Sequence, residues 1–419
     1  MILTEEEKRM LGGEEGPGVQ KAMEFLVEYG EAFDAQRMIE VNSSHILPDP
    51  VEWLTNLTEG VDDFKIMTTL HSGSPYNTDM VDDLGLLEGE GGYAVEQNGI
   101  AIDMYKQKGA FLTLSCAPYL MGNIIKYGNV FTWAGSSGII INNSVYGGRG
   151  NRESGVSMTC SAITGRTPDM LLTRDEKRKA EIVFNPRGLD LDQMDEADYG
   201  AMGYYIGETA NNKNVAIDTL PKSIQFEKLK YLLSPMPVSG AVSMCHITGI
   251  TPEASNLEQA IGANKPEYLS LELKDIKNAV QQLTTADSDS VDVVMLGCPH
   301  MTIREIKDAT ALLEGKKISE NVKLWLNTNE AVYVLAKKMG YIDILENAGA
   351  VILREICIAM FPFGKLKDQV KNVATNSARC AHYMVRGGMG ELVGQKVMGS
   401  MYGSSEKCIN AAISGKWGE

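Results

Sequence analysis

The sequence predicts an α/β fold. Short apolar runs of strand length recur along the chain. Helical patterns separate several of them, and turn residues bound both kinds of segment, which is the strand, turn, helix, strand order of βαβ units. With 419 residues there is chain for about three folding units at most, or for two larger lobes.

Thr4 and Glu7 form a capping box ahead of Met10 and Leu11, so a first helix starts there. Gly12 and Gly13 end it. Pro17 can open a second helix, roughly Val19 to Met38, in which Ala22, Phe25, Leu26, Tyr29 and Phe33 give one apolar face. Strand-like runs follow at Phe64–Thr69, Phe111–Ser115, Gly138–Ile141, Val291–Leu296, Val322–Asn327 and Ala350–Leu353. Helical patterns at Ile303–Leu313 and Ala331–Lys338 alternate with the later ones. The polar, acidic stretch from about Arg174 to Thr219 is the least regular, which predicts a lobe boundary between Asp190 and Ser234.

Lys and Arg number 39 against 55 Asp and Glu, a formal net charge of −16. That balance excludes the basic face a nucleic-acid-binding protein needs and a polybasic attachment to anionic lipid. No run approaches the ~18 apolar residues of a membrane span. The acidic start, MILTEEEKRML, is not a signal peptide, so the expected compartment is cytoplasmic.

An odd count of seven cysteines in a long chain does not read as a disulfide framework. Cys116, Cys298 and Cys357 each lie just past a strand-like run, in LSCAP, LGCPH and EICIA. In open α/β sheets, ligands bind at the carboxyl ends of strands. Their separations, 182 and 59 residues, fit no local metal motif. Each alone reads as a small buried residue at a strand end, while three in one context hold open a shared metal site. Cys160, Cys245, Cys380 and Cys408 lack that context.

The segment Gly135 to Gly155 offers hydroxyls at Ser136 and Ser137, amides at Asn142 and Asn143, and guanidiniums at Arg149 and Arg152. It is either a surface loop or a carboxylate-binding one, since Arg presents a planar fork. TNSARCAHY pairs Ser377 with Arg379, which suits an anion and also resembles many helix starts. His246 and His300 stand in turn-like contexts and His71 follows a strand-like run, and a lone histidine is more often a structural hydrogen-bonder than a ligand. There is no P-loop, no dinucleotide-binding glycine motif, no nucleophile elbow and no Cys-x-x-Cys. The cysteine turns remain the best candidates for chemistry.

Several long, ordered motifs carry a resemblance. They are LTEEEKRMLGG, LSCAPYLMGN, SSGIIINNSVYGGRGNRESG, ITGITPEA, VVMLGCPHMTIREI, TNSARCAHY and GSSEKCINAAISGKW. On these the chain resembles the large subunit of the aconitase X family over essentially its whole length, residues 1–419. The resemblance implies an aconitase-like fold of two to three α/β lobes around an iron–sulfur cluster cleft. It also implies a hydro-lyase, with Cys116, Cys298 and Cys357 as cluster ligands. Aconitase itself has two ligands in a Cys-x-x-Cys, and none is present here.

Two activities are known in the family: dehydration of cis-3-hydroxy-L-proline and dehydration of mevalonate 5-phosphate. The phosphomevalonate pattern has Gly-Val-Ser shortly after a histidine, where this chain has His45 followed by Leu47-Pro48-Asp49-Pro50. It has Asn-Pro at His71-Ser72, Glu-Ser-Ser at Gly135-Ser136-Ser137 and Asp-Thr-Cys at Glu355-Ile356-Cys357. Pro48 and Pro50 offer no N–H to a phosphate, and Asp49 adds a charge that would repel one or pair with a substrate ammonium. The expectation is therefore a small hydroxy acid without phosphate, hydroxyproline-like, with mevalonate 5-phosphate as the alternative. The substrate-binding candidates are His71, Ser72, Ser136, Ser137, Arg152 and Arg379. The family's base is expected to be a serine on a small swivelling domain. A chain ending soon after SGKW leaves no room for that domain, so the partner is expected to be a separate small subunit. The competing class is a cluster-free binding subunit or a cysteine-dependent enzyme.

Overall fold

The structure, a computed structural model, describes residues 1–73, 90–357, 370–386 and 398–418, with backbone alone for 90–95. Three parallel sheets organise it. The first has the order β3-β2-β4, from β2 (Ser43–Ile46), β3 (Met67–Leu70) and β4 (Phe131–Trp133). The second has the order β8-β7-β6-β9, from β6 (Ile182–Asn185), β7 (Val215–Ile217), β8 (Cys245–Ile247) and β9 (Glu267–Ser270). The third has the order β12-β11-β10-β13-β14, from β10 (Val293–Leu296), β11 (Lys323–Thr328), β12 (Ala350–Arg354), β13 (Asn372–Thr375) and β14 (Gly399–Tyr402). A short antiparallel pair, β1 (Met38–Glu40) with β5 (Arg166–Pro168), flanks the first sheet.

The sequence-level elements fare unevenly. The capping box is present: Thr4 N–H donates to Glu7 at 2.8 Å and Glu7 N–H to the Thr4 hydroxyl at 3.3 Å. The second helix spans Pro17–Ala32 and stops before Met38, because the chain turns at Phe33 and takes a left-handed Asp34 with φ 56°. Gly138–Ile141 is not a strand but the end of helix Ser136–Ile141. Ile139, Ile140 and Ile141 are all buried, and a continuous apolar run reads alike for a buried strand and a buried helix. Phe111–Ser115 is not a strand either. Only Phe111 bridges to Thr69, and Leu114 at φ 38° breaks the extended path. Residues 190–234, read as a lobe boundary, carry helices Glu196–Ala210 and Phe226–Leu233 and the strand β7, all within the second unit. The changes of sheet fall between β5 and β6 and between β9 and β10.

Arg178 joins the first two units. It is fully buried, its guanidinium pairs with Glu253 at 2.6 Å, and it donates to the carbonyls of Leu172, Asn143 and Gly148 at 2.7, 3.2 and 2.9 Å. Removing one member of a buried pair strands the other charge. Arg178→Met is therefore expected to lower stability by roughly 3–5 kcal/mol, measured by urea denaturation.

Candidate active site

The carboxyl ends of the first and third sheets meet. Past β3 come His71, Ser72 and Gly73, and past β4 comes the start of helix Ser136–Ile141. Facing them, Cys298 follows β10, Cys357 follows β12 and Arg379 opens helix Ala378–Arg386 after β13. Several bonds cross the gap. Arg379 Nη1 donates to Ser136 Oγ at 3.0 Å, His300 Nδ1 lies 3.0 Å from Ser115 Oγ, and His300 N–H donates to Cys116 Sγ at 3.3 Å. Cys357 N–H reaches Gly73 O at 3.5 Å. Cys116 thus arrives alongside β3 rather than at the end of a strand of its own, with Ser115 N–H on Leu70 O at 3.4 Å.

Local backbone chemistry shapes these turns. Gly297, just before Cys298, has φ 101°, and a Cβ there would lie 2.1 Å from Asn327 O. Only glycine fits so close to a neighbouring strand's backbone. The Cys298 carbonyl accepts from Ser377 Oγ. Gly135, at φ 77°, leaves the room that His71 fills, since a Cβ there would stand 2.6 Å from His71 Nε2.

The electrostatics bind the three thiols to one another. Burial pushes the Cys116 thiol up to about 12, and Cys357 and Cys298 push the same way. Burial pushes Cys298 up to about 11, opposed by Arg379 and reinforced by Cys357. Burial works against the Arg379 cation too, yet Tyr383, Cys298, Cys357 and Cys116 outweigh it and hold its pKa above the ordinary value. No carboxylate among the described residues lies within ion-pairing distance of Arg379.

His71 is buried, and desolvation lowers its pKa to about 4, so it is neutral near pH 7. Its Nδ1 lies 2.6 Å from Ser72 O. A carbonyl only accepts, so Nδ1 carries the proton and Nε2 is left as an acceptor beside Gly135. Ser72 Oγ is buried with no partner among the described residues. Ser137 is buried on the first turn of the same helix as Ser136.

Other expectations are corrected. Arg152 is exposed, touches Ala241 O at 3.5 Å, and lines a separate surface cavity with Asn212 and Ser243. Arg149 is spent on Asp175 and Thr173 O. Asp49 is no free charge at a substrate loop. It accepts from Tyr105 OH at 2.8 Å and Thr159 Oγ1 at 3.0 Å, and burial raises its pKa. Lys230, which the sequence did not single out, is fully buried and donates to Pro299 O and His300 O at 3.4 and 3.2 Å while pairing with Glu305. One lysine in an amphipathic helix gives no signal of such a role.

The donor set fits a soft, thiolate-liganded group. Among the described residues no three of His, Cys, Asp and Glu are grouped tightly enough to hold a single metal ion. An iron–sulfur cluster takes its thiolates on different irons, so its ligands stand farther apart than those of one ion.

Three parallel sheets, with three cysteines gathered where the carboxyl ends of the first and third meet, define an aconitase-like protein. The chain belongs to the aconitase X family: the first, second and third domains of aconitase X match residues 1–176, 168–281 and 291–414. Each matched region contains one of the three sheets. The chain is 31% identical over 392 residues to a phosphomevalonate dehydratase large subunit of Thermococcus kodakarensis, covering 91% of this chain and 95% of that one. It is 28% identical over 419 residues to a cis-3-hydroxy-L-proline dehydratase of Pseudomonas aeruginosa, covering 98% of this chain and 70% of that one. The crystal structure of Thermococcus kodakaraensis aconitase X in its holo-form superposes with a TM-score of 0.83 at 29% identity, covering 98% and 100% of the two chains. These named relatives are dehydratases. No described helix is long and apolar enough to cross a membrane.

Proposed function

We propose that this chain is the large subunit of a cytoplasmic dehydratase that removes water from a small, unphosphorylated hydroxy carboxylic acid such as cis-3-hydroxy-L-proline. The observation that carries this reading is Arg379, a half-buried guanidinium with no carboxylate partner among the described residues, beside Ser136 and within electrostatic reach of all three cleft thiols. A substrate carboxylate would supply the missing anion, held by the planar fork and oriented by Ser136. His71 Nε2, neutral and without a proton, accepts a hydrogen bond from a substrate ammonium or hydroxyl, and Ser72 and Ser137 offer hydroxyls from the same wall.

Cys116, Cys298 and Cys357 would hold an iron–sulfur cluster, which when bound supplies Lewis-acid help for the departing hydroxide. No side chain described in the cleft is placed as the base for the proton beside the carboxylate. That task falls to a small swivelling subunit, whose interface over the cleft should bury at least ~1,000 Å².

Charge among the described residues of the cleft favours a substrate with one anionic group. Of the two cations near the thiols among the described residues, the buried Lys230 is committed to Glu305 and two carbonyls, which leaves the half-buried Arg379. Arg149 and Arg152, the two guanidiniums of the Gly135–Gly155 segment, lie elsewhere. The second reading, mevalonate 5-phosphate, is favoured by identity to large subunits named for that reaction.

The isolated chain is expected to be inactive and to form a stable complex with a small subunit of roughly a hundred-odd residues, a size within the usual range of a single domain. Size-exclusion chromatography of the co-expressed pair, followed by turnover assays of chain and complex, checks this. Full turnover by the chain alone would refute it.

A further inference from the structure

We infer that His300 is the positioning residue that locks the three cysteine-bearing turns into one site. The inference rests on the reading of those thiols as a shared ligand set. His300 lies two residues after Cys298 and is fully buried. Its ring reaches the other two turns at residues adjacent to their cysteines. Nδ1 lies 3.0 Å from Ser115 Oγ, next to Cys116, and Nε2 lies 3.0 Å from Ile356 O, next to Cys357. Its backbone N–H donates to Cys116 Sγ at 3.3 Å. One residue therefore touches all three turns, although 241 positions separate the first cysteine from the last.

The hydrogen bonds are mutually consistent. Ile356 O only accepts, so Nε2 carries the proton. Nδ1 is then an acceptor and takes the Ser115 hydroxyl proton. The Ser115 oxygen in turn accepts from Ala117 N–H at 3.0 Å. Asn327 Nδ2 takes the second lone pair of Ile356 O at 2.9 Å. The backbone of His300 is pinned as firmly. Its carbonyl takes the Lys230 ammonium at 3.2 Å, and the next residue, Met301, donates to Asn327 O at 2.9 Å. Such a residue can orient ligands it does not itself replace, as the outer hydrogen-bonding groups of metal sites do.

Three variants divide the role. In His300→Asn the amide oxygen stands near the place of Nδ1 and keeps the Ser115 bond. In His300→Gln the amide nitrogen stands near the place of Nε2 and keeps the Ile356 bond. His300→Ala loses both. The full chain is purified and reconstituted without oxygen with iron and sulfide. Bound iron and sulfide are measured, the reduction potential is followed by electron paramagnetic resonance, and the melting of the metal-free chain is recorded.

Iron affinity is expected to fall about 10–100-fold in His300→Ala. His300→Asn and His300→Gln should retain part of it, with potentials displaced from the parent. Cys408→Ala should match the parent. In the metal-free chain, alkylation of Cys116 and Cys357 by iodoacetamide should speed up at least about fivefold in His300→Ala, as a turn released from a buried hydrogen bond opens more often. Unchanged iron loading and potential in His300→Ala, or unchanged alkylation rates, would overturn the inference. A parent chain that binds no iron would instead refute the cluster reading, and the alkylation rates would then decide on His300 alone.

Discussion

Replacing any one of Cys116, Cys298 and Cys357 by alanine is expected to abolish the visible chromophore of the anaerobically purified protein and to reduce bound iron and sulfide to background. Thiolates are the ligands such clusters require. The three positions are treated as a set because each stands within electrostatic reach of the others and of Arg379. Cys160→Ala and Cys408→Ala should leave the chromophore intact. Cys160 is buried in the core of the first unit, and Cys408 lies on helix Ser405–Ser414 in the core of the third. A colourless, iron-free parent protein would contradict the assignment, and so would a Cys298→Ala variant with full iron.

Arg379→Met is expected to lower kcat/KM by about 10²–10³-fold, the effect of removing one partner from a desolvated charged pair. The loss should fall more on KM than on kcat, because the carboxylate is held in both the ground and transition states. The fold should not suffer in step. The methionine removes a half-buried charge that has no carboxylate partner among the described residues and also loses its bond to Ser136, so thermal stability is expected to stay near the parent's. Steady-state kinetics of the complex with its small subunit, beside a thermal melt, read both effects. A variant that keeps its KM would show that the carboxylate binds elsewhere.

Much of the architecture is written in local pattern. Runs such as Val291–Leu296 and Val322–Asn327 are short, apolar and followed by amphipathic helices, and they form β10 and β11 of the third sheet. GSSGIII misleads because its glycine and serines suit a turn, while three isoleucines in a row suit a strand as well as a buried helix. Cys116 does not end a strand of its own, since FLTLS is not a strand, and its place in the cleft follows from running beside β3. The second sheet left little trace: VAI and CHI are too short to stand out.

The meeting of residues was legible where a residue's chemistry is tied to its own turn, as for the cysteines, Ser136 and Arg379, which the structure brings to one place. It was not legible where the role depends on distant chain. Lys230 and His300 act across 70 and 185 residues, and no local spacing encodes such meetings. Arg152 and Asp49 show the converse. Both had suitable chemistry, but the fold sends one to the surface and ties the other to Tyr105 and Thr159.

The most direct test of the proposed function is a comparison of kcat/KM for cis-3-hydroxy-L-proline and for mevalonate 5-phosphate, made with the iron-loaded chain in complex with its small subunit. The single free cation of the described cleft and the displaced Arg149 and Arg152 predict faster dehydration of the unphosphorylated hydroxy acid. Faster dehydration of mevalonate 5-phosphate would contradict the substrate assignment, and no dehydration of any hydroxy acid by a fully loaded complex would contradict the reaction itself.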